Sequence, residues 1–122
     1  MSTQKLAMVF GIVFLVIGLL GFISAVSPDG LLLGVFEVDP IHNVIHVLTG
    51  ILALVFMKTQ AKMFFKVFGI VYLLVTLVGF FQGTTVLGLF GVNMADNVLH
   101  LVVAAIALWL GFRKEGTMAM PM

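Results

Sequence analysis

The sequence predicts an all-α integral membrane protein in which four transmembrane helices form two parallel, same-topology helical-hairpin repeats. The first observation is composition: 62% of the 122 residues are hydrophobic and only 9% are charged, whereas about 25% are charged in soluble domains. The mean hydropathy is +1.29. The second observation is an internal repeat, and the third is a set of charge-free stretches long enough to cross a ~30 Å hydrocarbon core.

The repeat consists of matching runs of residues at constant separations. An offset of 54 residues relates the loop and the start of the second span in the two halves, and an offset of 58 relates the first spans. The second copy therefore lacks four residues of connecting loop. The matching runs are Leu33–Asp39 (LGVFEVD) with Leu87–Asn93 (LGLFGVN), Asn43–His46 (NVIH) with Asn97–His100 (NVLH), and Phe10–Val13 (FGIV) with Phe68–Val71 (FGIV).

The first and third spans follow from the absence of charge. Leu6–Val26 contains 21 residues without a charge, which is enough for one membrane crossing. No charged residue lies between Lys66 and Asp96, so the third span is predicted around Val67–Phe81 and begins near Met63. Its lysines then reach back to the membrane interface.

The second and fourth spans are predicted at Ile41–Met57 and Ala95–Phe112. Both are near the short end of the usual range of about 17–25 residues. Each repeat therefore contains one pair of spans. The resulting layout is a single four-helix domain over residues 1–122, with repeat one at about 6–57, repeat two at about 63–112 and a tail at 113–122.

The orientation follows from the cations, because short loops rich in Lys and Arg stay on the cytoplasmic side. All six cations fall before the first span, between the second and third, or after the fourth, so they share one side. Four of the five acids fall on the other side. Both termini are therefore predicted to be cytoplasmic. Since each repeat contains two spans, the copies cross in the same direction, related by a pseudo-twofold axis along the membrane normal.

The second and fourth spans begin with helix-capping residues on the outer side. Asp39 precedes Pro40, which places a carboxylate at the N-cap and a proline at the first helical position. Asn93 is the matching N-cap of the fourth span. Counting from these caps, His42 and Asp96 both occupy the third helical position.

Three histidines and one aspartate lie in the outer turns of these two spans. His42 precedes His46 by four residues, and Asp96 precedes His100 by four, so each pair shares a helix face. If the two faces meet across the pseudo-twofold axis, the four side chains form a three-histidine, one-carboxylate set. Such a set suits zinc or another divalent transition metal.

Two other interpretations stay open for the same region. In one, His46 and His100 alone are the axial ligands of a haem held between the second and fourth spans. Gly50 and Ala104, one turn further along each helix, then leave room for the flat ring. This hypothesis needs no carboxylate ligand.

In the remaining interpretation the polar residues only hold the helices together. Asn43 and Asn97, each three residues before a histidine, form a structural polar cluster with interhelical hydrogen bonds. Asp96 satisfies free backbone N–H groups at its own helix start. No ligand is required.

The loops Gly30–Val38 and Thr84–Val92 are unusually apolar for connections between helices. They are predicted to fold back against the bundle or to lie in the outer membrane interface. Phe36 and Phe90 are then expected to be packing anchors rather than ligand contacts.

No catalytic pattern accompanies these features. Ser24 and Ser27 lack a nearby base, and the sequence has no cysteine and no phosphate-binding glycine loop. The net charge of +1 gives no reason to expect nucleic acid. We therefore expect a non-enzymatic protein that acts in the lipid bilayer by association, with itself or as an accessory subunit of a larger membrane complex. The alternative is a metal- or haem-binding membrane protein.

The motifs resemble those of a known family. Leu32–Val38 (LLGVFEV), Ile41–Asn43 (IHN) with His46, and Ala95–His100 (ADNVLH) resemble the bacterial membrane proteins catalogued as domain of unknown function 4383. The resemblance covers nearly the whole chain. It implies a small multi-pass protein of the bacterial plasma (inner) membrane, and it implies no particular reaction, cofactor or partner.

Overall fold

The computed structural model describes residues 2–114, which form four helices and two short hairpins. Residues 115–122, the larger part of the predicted tail, lie outside the described residues. In chain order the elements are α1 (Thr3–Leu20), a 3-10 turn (Pro28–Gly30), β1 (Leu31–Leu32), β2 (Phe36–Glu37), α2 (Pro40–Phe56), α3 (Ala61–Gln82), β3 (Thr85–Val86), β4 (Phe90–Gly91) and α4 (Met94–Phe112). Helices α1, α3 and α4 are long and apolar enough to cross a membrane, and α2 is an apolar helix of 17 residues.

Helix α1 ends earlier than the charge-free run suggests. The run continues to Val26, but the helix ends at Leu20 and is followed by turns. The hydroxyl of Ser27 donates a hydrogen bond to the Leu20 carbonyl at 3.0 Å and so satisfies an acceptor at the helix end. Pro28 follows and disfavours the helical conformation at Ser27, so the helix does not resume there. Hydropathy therefore marks an apolar segment without marking the end of its helix.

The helices pack as two close antiparallel pairs, α1 with α2 and α3 with α4. Small residues allow the backbones to approach. A Cβ atom on Gly50 would lie 2.6 Å from both the Gly11 carbonyl oxygen and the Leu15 backbone nitrogen. In the second pair, a Cβ on Gly111 would lie 2.6 Å from the Lys66 backbone nitrogen. Close approach at small residues is the usual way in which membrane helices associate.

Aromatic side chains join the two helix pairs in the core. The Phe10 ring stacks on Phe14 with centroids 4.5 Å apart, and its edge contacts Phe64 and Phe65 of α3 at 5.7 and 5.5 Å. By contrast, the outward faces of the helices carry exposed apolar side chains, including Trp109, which is 62% exposed. The sides of the bundle are therefore apolar, and aromatic rings join the two helix pairs inside it.

Each apolar loop forms a tight antiparallel hairpin. Leu31 lies opposite Glu37 in the β1–β2 pair, and Thr85 lies opposite Gly91 in the β3–β4 pair. In the second hairpin Phe90 is buried, and it packs with other buried side chains of the same loop. The loops thus fold back against the helices, one of the two arrangements that their composition predicts.

The two hairpin turns have the same backbone conformation. Leu33 and Leu87 both have a φ of 55°, and each is followed by a glycine with positive φ. This left-handed region is uncommon for residues other than glycine, asparagine and aspartate. Both leucines are exposed, so the same turn recurs at the tip of each hairpin.

The helix caps bond each hairpin to the other half of the chain. One carboxylate oxygen of Asp39 accepts the backbone N–H at the third position of α2, and the other accepts Gly91 N–H, both at 2.8 Å. The Asn93 side chain accepts a backbone N–H of α4 at 2.9 Å, and its amide donates to the Val35 carbonyl at 2.8 Å. The cap of α2 therefore holds β4, and the cap of α4 holds the turn before β2.

Charged groups gather at the two ends of the bundle. At one end Lys62 donates to the Arg113 carbonyl at 2.7 Å, and the Arg113 guanidinium donates to the Thr3 hydroxyl at 3.1 Å. At the hairpin end lie the acids Asp39 and Asp96. The middle of each helix is left to apolar and uncharged polar side chains.

Asp39→Ala is expected to destabilise the protein by about 2 kcal/mol, because it removes a helix cap and leaves the Gly91 N–H without its acceptor. Asp39→Asn is the matched control, since its amide keeps one acceptor for the cap and loses the other. We expect its melting temperature in detergent to lie between those of wild type and Asp39→Ala. Wild-type melting of Asp39→Ala would contradict a stabilising role for these two bonds.

Candidate metal centre

Three buried histidines meet between the helices, beneath the hairpins. His42 and His46 lie one turn apart on α2, and His100 lies on α4. One ring nitrogen from each lies within 4.8 Å of those of the other two. The ring centroids are 4.4 Å apart for His42 and His46, 5.6 Å for His42 and His100, and 6.1 Å for His46 and His100. We refer to His42, His46 and His100 as the histidine triad.

Each ring of the triad has an aromatic neighbour. Phe90 of β4 lies 4.9 Å from His42 between ring centroids. Phe14 of α1 is edge-on to His46 at 5.4 Å, and Tyr72 of α3 is edge-on to His100 at 5.7 Å. The triad is therefore enclosed by side chains from α1, α3 and the second hairpin.

Several ring nitrogens of the triad lack hydrogen-bond partners within residues 2–114. They are both nitrogens of His42 and the Nδ1 atoms of His46 and His100. Backbone groups of Glu37 and Gly91 lie near the His42 ring, but they make no hydrogen bond of standard geometry with it. Each neutral imidazole has one nitrogen with a free lone pair, so the triad can offer three ligand atoms at this position.

Asp96, the fourth ligand of the predicted set, does not join the triad. Its carboxylate accepts the Asn93 backbone N–H at 2.9 Å, and its own N–H donates to the Asn93 side chain at 2.9 Å. This reciprocal pair is a capping box, which turns the carboxylate toward the start of its own helix. The structure thus brings together three of the four predicted ligands.

Asn43 and Asn97 are buried, and they contact Gly21, which follows the last residue of α1, and Gly79 near the end of α3. A Cβ atom on Gly21 would overlap the Asn43 amide oxygen, and one on Gly79 would overlap that of Asn97. Neither oxygen has an N–H or O–H partner in the described part of the chain. Each amide oxygen lies against a glycine Cα, the arrangement of a weak Cα–H···O contact between helices. The asparagines therefore pack within the helix pairs.

A cavity of about 170 Å³ adjoins the triad between α2 and α3. Its polar groups besides the histidines are Thr49 and Tyr72, whose hydroxyl oxygens are 3.0 Å apart. Thr49 also donates to the Ile45 carbonyl at 2.8 Å. The remaining lining side chains are apolar: Ile45, Phe68, Val71, Val75 and Phe90.

A family model described as "Domain of unknown function (DUF4383)" matches residues 4–113, nearly the whole chain. The chain belongs to the DUF4383 family. The resemblance predicted from its motifs is thus confirmed. No curated protein and no solved structure matches it. The matched region of this DUF4383 protein contains the triad, both hairpins and almost all of the four helices.

Motifs in the sequence of the DUF4383 protein did not single out Thr49 and Tyr72, whose two hydroxyl groups we call the hydroxyl pair. Comparison of the two repeats does contain a signal, because Tyr72 occupies the position of Phe14 at the offset of 58, and it is the chain's only tyrosine. Thr49 similarly occupies the position of Val103 at the offset of 54. Both departures from the repeat introduce a hydroxyl group on the same side of the triad.

The geometry of the DUF4383 protein gives little room for a haem. The α1 backbone at Gly11 and Leu15 packs directly against Gly50, where the haem hypothesis needs space. The cavity of about 170 Å³ is smaller than the ~300 Å³ at the low end of small-molecule sites. His42 also lies within 4.4 Å of His46 between ring centroids. A single ion fits these dimensions better than a macrocycle.

Proposed function

We propose that this DUF4383 protein is an integral membrane protein that binds one divalent transition-metal ion, zinc being the first candidate, at the histidine triad. The observation that carries the proposal is the convergence of three buried imidazoles with ligand nitrogens within 4.8 Å of one another. Imidazole is a good ligand for zinc, copper, iron and nickel. Three protein ligands with one open position is also the usual pattern of zinc sites that bind water or another small ligand.

Binding an ion would give one buried nitrogen of each ring a partner. Leaving a buried polar atom without a partner costs about 1–3 kcal/mol, and an ion takes up the lone pair of one nitrogen from each ring. Zinc–nitrogen bonds of about 2.0–2.1 Å separate tetrahedral ligands by about 3.4 Å. The ligand nitrogens now lie within 4.8 Å of one another. Small rotations of the rings would therefore bring them to the separation that zinc needs.

Charge at the outer end of the bundle favours a cation at the triad. Asp39 caps the helix that carries His42 and lies close enough for its charge to act on that ring. Asp39 also offsets the positive N-terminus of α2, which by itself disfavours a bound cation.

The apolar sides of the bundle support its placement in a bilayer. Its cations lie at one end and the acids Asp39 and Asp96 at the other, with exposed apolar residues between. Equal φ angles at Leu33 and Leu87 support two repeats related by a pseudo-twofold axis along the membrane normal. We place both termini in the cytoplasm and the triad in the outer half of a bacterial plasma membrane, by the distribution of cations.

Self-association, or membership of a larger membrane complex as an accessory subunit, stays a prediction from the sequence, as does the absence of enzymatic activity. A metal-binding role is compatible with association. The triad lies inside one chain, so metal binding is testable on the isolated protein.

The test is metal titration of protein purified with an affinity tag that contains no histidine. Because the chain has three histidines and no cysteine, imidazole ligation reports on the triad alone. After chelation, we expect Co(II) to bind at one ion per chain with the absorption of a tetrahedral nitrogen site, and Zn(II) to displace it. The triple variant His42→Gln, His46→Gln, His100→Gln is the matched control. Equal metal binding by the variant and wild type would overturn the proposal.

A further inference from the structure

We propose that the metal's fourth coordination position opens into the cavity between α2 and α3 and takes a small ligand that is not positively charged and that carries both a lone-pair atom and an N–H or O–H group. This inference rests on the metal site proposed above. It adds the class of molecule that the site binds and the route by which that molecule enters.

Coordination supplies the first reason. All three histidines of the triad line the cavity, and within residues 2–114 they form the cluster that can hold a metal. Asp96, the fourth metal ligand that the sequence predicts, is hydrogen-bonded in its capping box instead. The other polar side chains of the cavity, Thr49 and Tyr72, bond to each other. We therefore expect the fourth ligand of a metal on three histidines to come from outside the protein, through the cavity that adjoins the site.

Size and polarity supply the second reason. The cavity has a volume of about 170 Å³, and a dry cavity of about 150 Å³ in another protein holds benzene. The walls between the triad and the hydroxyl pair are apolar, with Ile45, Phe68 and Val75 among them. A positively charged ligand would lose its hydration here and would also meet the charge of the metal ion, so cationic ligands are excluded.

The third reason is the direction of the hydrogen bonds that Thr49 and Tyr72 make. The Thr49 hydroxyl donates its proton to the Ile45 carbonyl. In the 3.0 Å contact between Thr49 and Tyr72, the proton must therefore come from Tyr72. Both hydroxyl protons are then used, and the Tyr72 oxygen presents a lone pair. A ligand that reaches it must donate a hydrogen bond.

The gap between α2 and α3 on the side of the bundle gives the route by which the ligand enters. Val71 lines the cavity and is 43% exposed on the outer face of α3. Helices α2 and α3 pack against each other less extensively than do the members of each close pair. The cavity mouth thus faces the lipid between α2 and α3, and the ligand enters from the bilayer.

Imidazole is the probe, because it is smaller than benzene and has one lone-pair nitrogen and one N–H group. We expect it to change the visible absorption of the Co(II)-loaded protein saturably, with cobalt still bound after desalting. Tyr72→Phe should bind imidazole about fivefold more weakly, the loss expected for one hydrogen bond. 1-Methylimidazole, which has no N–H, should show no difference between Tyr72→Phe and wild type.

Val75→Phe fills the cavity and should abolish the imidazole response while cobalt binding persists. Leu74→Phe is the matched control, because Leu74 is 57% exposed outside the cavity and undergoes a similar increase in size. If Val75→Phe fails to fold, Val71→Trp at the mouth takes its place.

The outcomes separate the two proposals. If cobalt fails to bind wild-type protein, the metal site is wrong and this inference is wrong with it. The open position is wrong, and the metal site stands, if cobalt binds but imidazole leaves its visible absorption unchanged. The same conclusion follows if imidazole changes the absorption of the Val75→Phe and Val71→Trp variants as much as that of wild type.

Discussion

Replacing any one histidine of the triad with alanine is expected to weaken zinc binding by about 100-fold or more. Loss of a residue that only supports a ligand already costs about 10–100-fold, and loss of a ligand should cost at least as much. His42→Ala, His46→Ala and His100→Ala should behave alike, because the three ring nitrogens contribute to one site. Competition with a chelator of known zinc affinity measures the effect.

Asp96→Asn is the informative companion to these variants. Its capping box should weaken, with a loss of about 1 kcal/mol in stability, because the amide replaces a carboxylate acceptor at the helix start. Zinc affinity should change by less than about threefold, since the carboxylate is turned away from the triad. A loss as large as that of the histidine variants would instead favour the four-ligand set predicted from the sequence.

Gly50→Ala is expected to destabilise the fold by about 1–3 kcal/mol, the usual cost of overpacking. The sign of the change in the free energy of unfolding is informative, because the same replacement in an unhindered helix stabilises by about 1 kcal/mol. At Gly50 the new methyl group would meet the backbone of Gly11 and Leu15 at 2.6 Å, and backbone atoms cannot move aside as a flexible side chain can. The free energy of unfolding in mixed detergent measures the change.

Two further variants establish that the effect comes from helix contact. Leu48→Ala changes a residue of the same helix that is 52% exposed, and it should have little effect on unfolding. Gly111→Ala should destabilise as Gly50→Ala does, because its methyl group would meet the Lys66 backbone in the other helix pair. A stabilising Gly50→Ala would mean that the α1–α2 contact is looser than the structure describes.

The helices were predictable because their signals are local. Asp39 and Asn93 are residue types that favour the N-cap position, so they predict the starts of α2 and α4. The observed helices begin at Pro40 and Met94. The end of α1 was harder to predict, because the decisive hydrogen bond joins Ser27 to the Leu20 carbonyl, seven residues away. Hydropathy contains no information about such a bond.

The candidate site was partly predictable for a related reason. Spacing by four placed His42 with His46, and the repeat placed His100 at a matching level. The same spacing also placed Asp96 in the set, since periodicity cannot distinguish a carboxylate that faces a neighbour from one that caps its own helix. The cavity depends on how α2 and α3 meet, which is a tertiary property.

The cross-bonding of the hairpins has a consequence for the order in which the chain folds. If the first two helices enter the membrane first, Asp39 has no Gly91 N–H to bind and His42 has no Phe90 ring against it. The Asn93 amide that holds Val35 is likewise still to come. The first half therefore reaches its final hydrogen bonding only after the fourth helix has begun, and a chain truncated after α2 lacks the hydrogen bonds that complete its hairpin end.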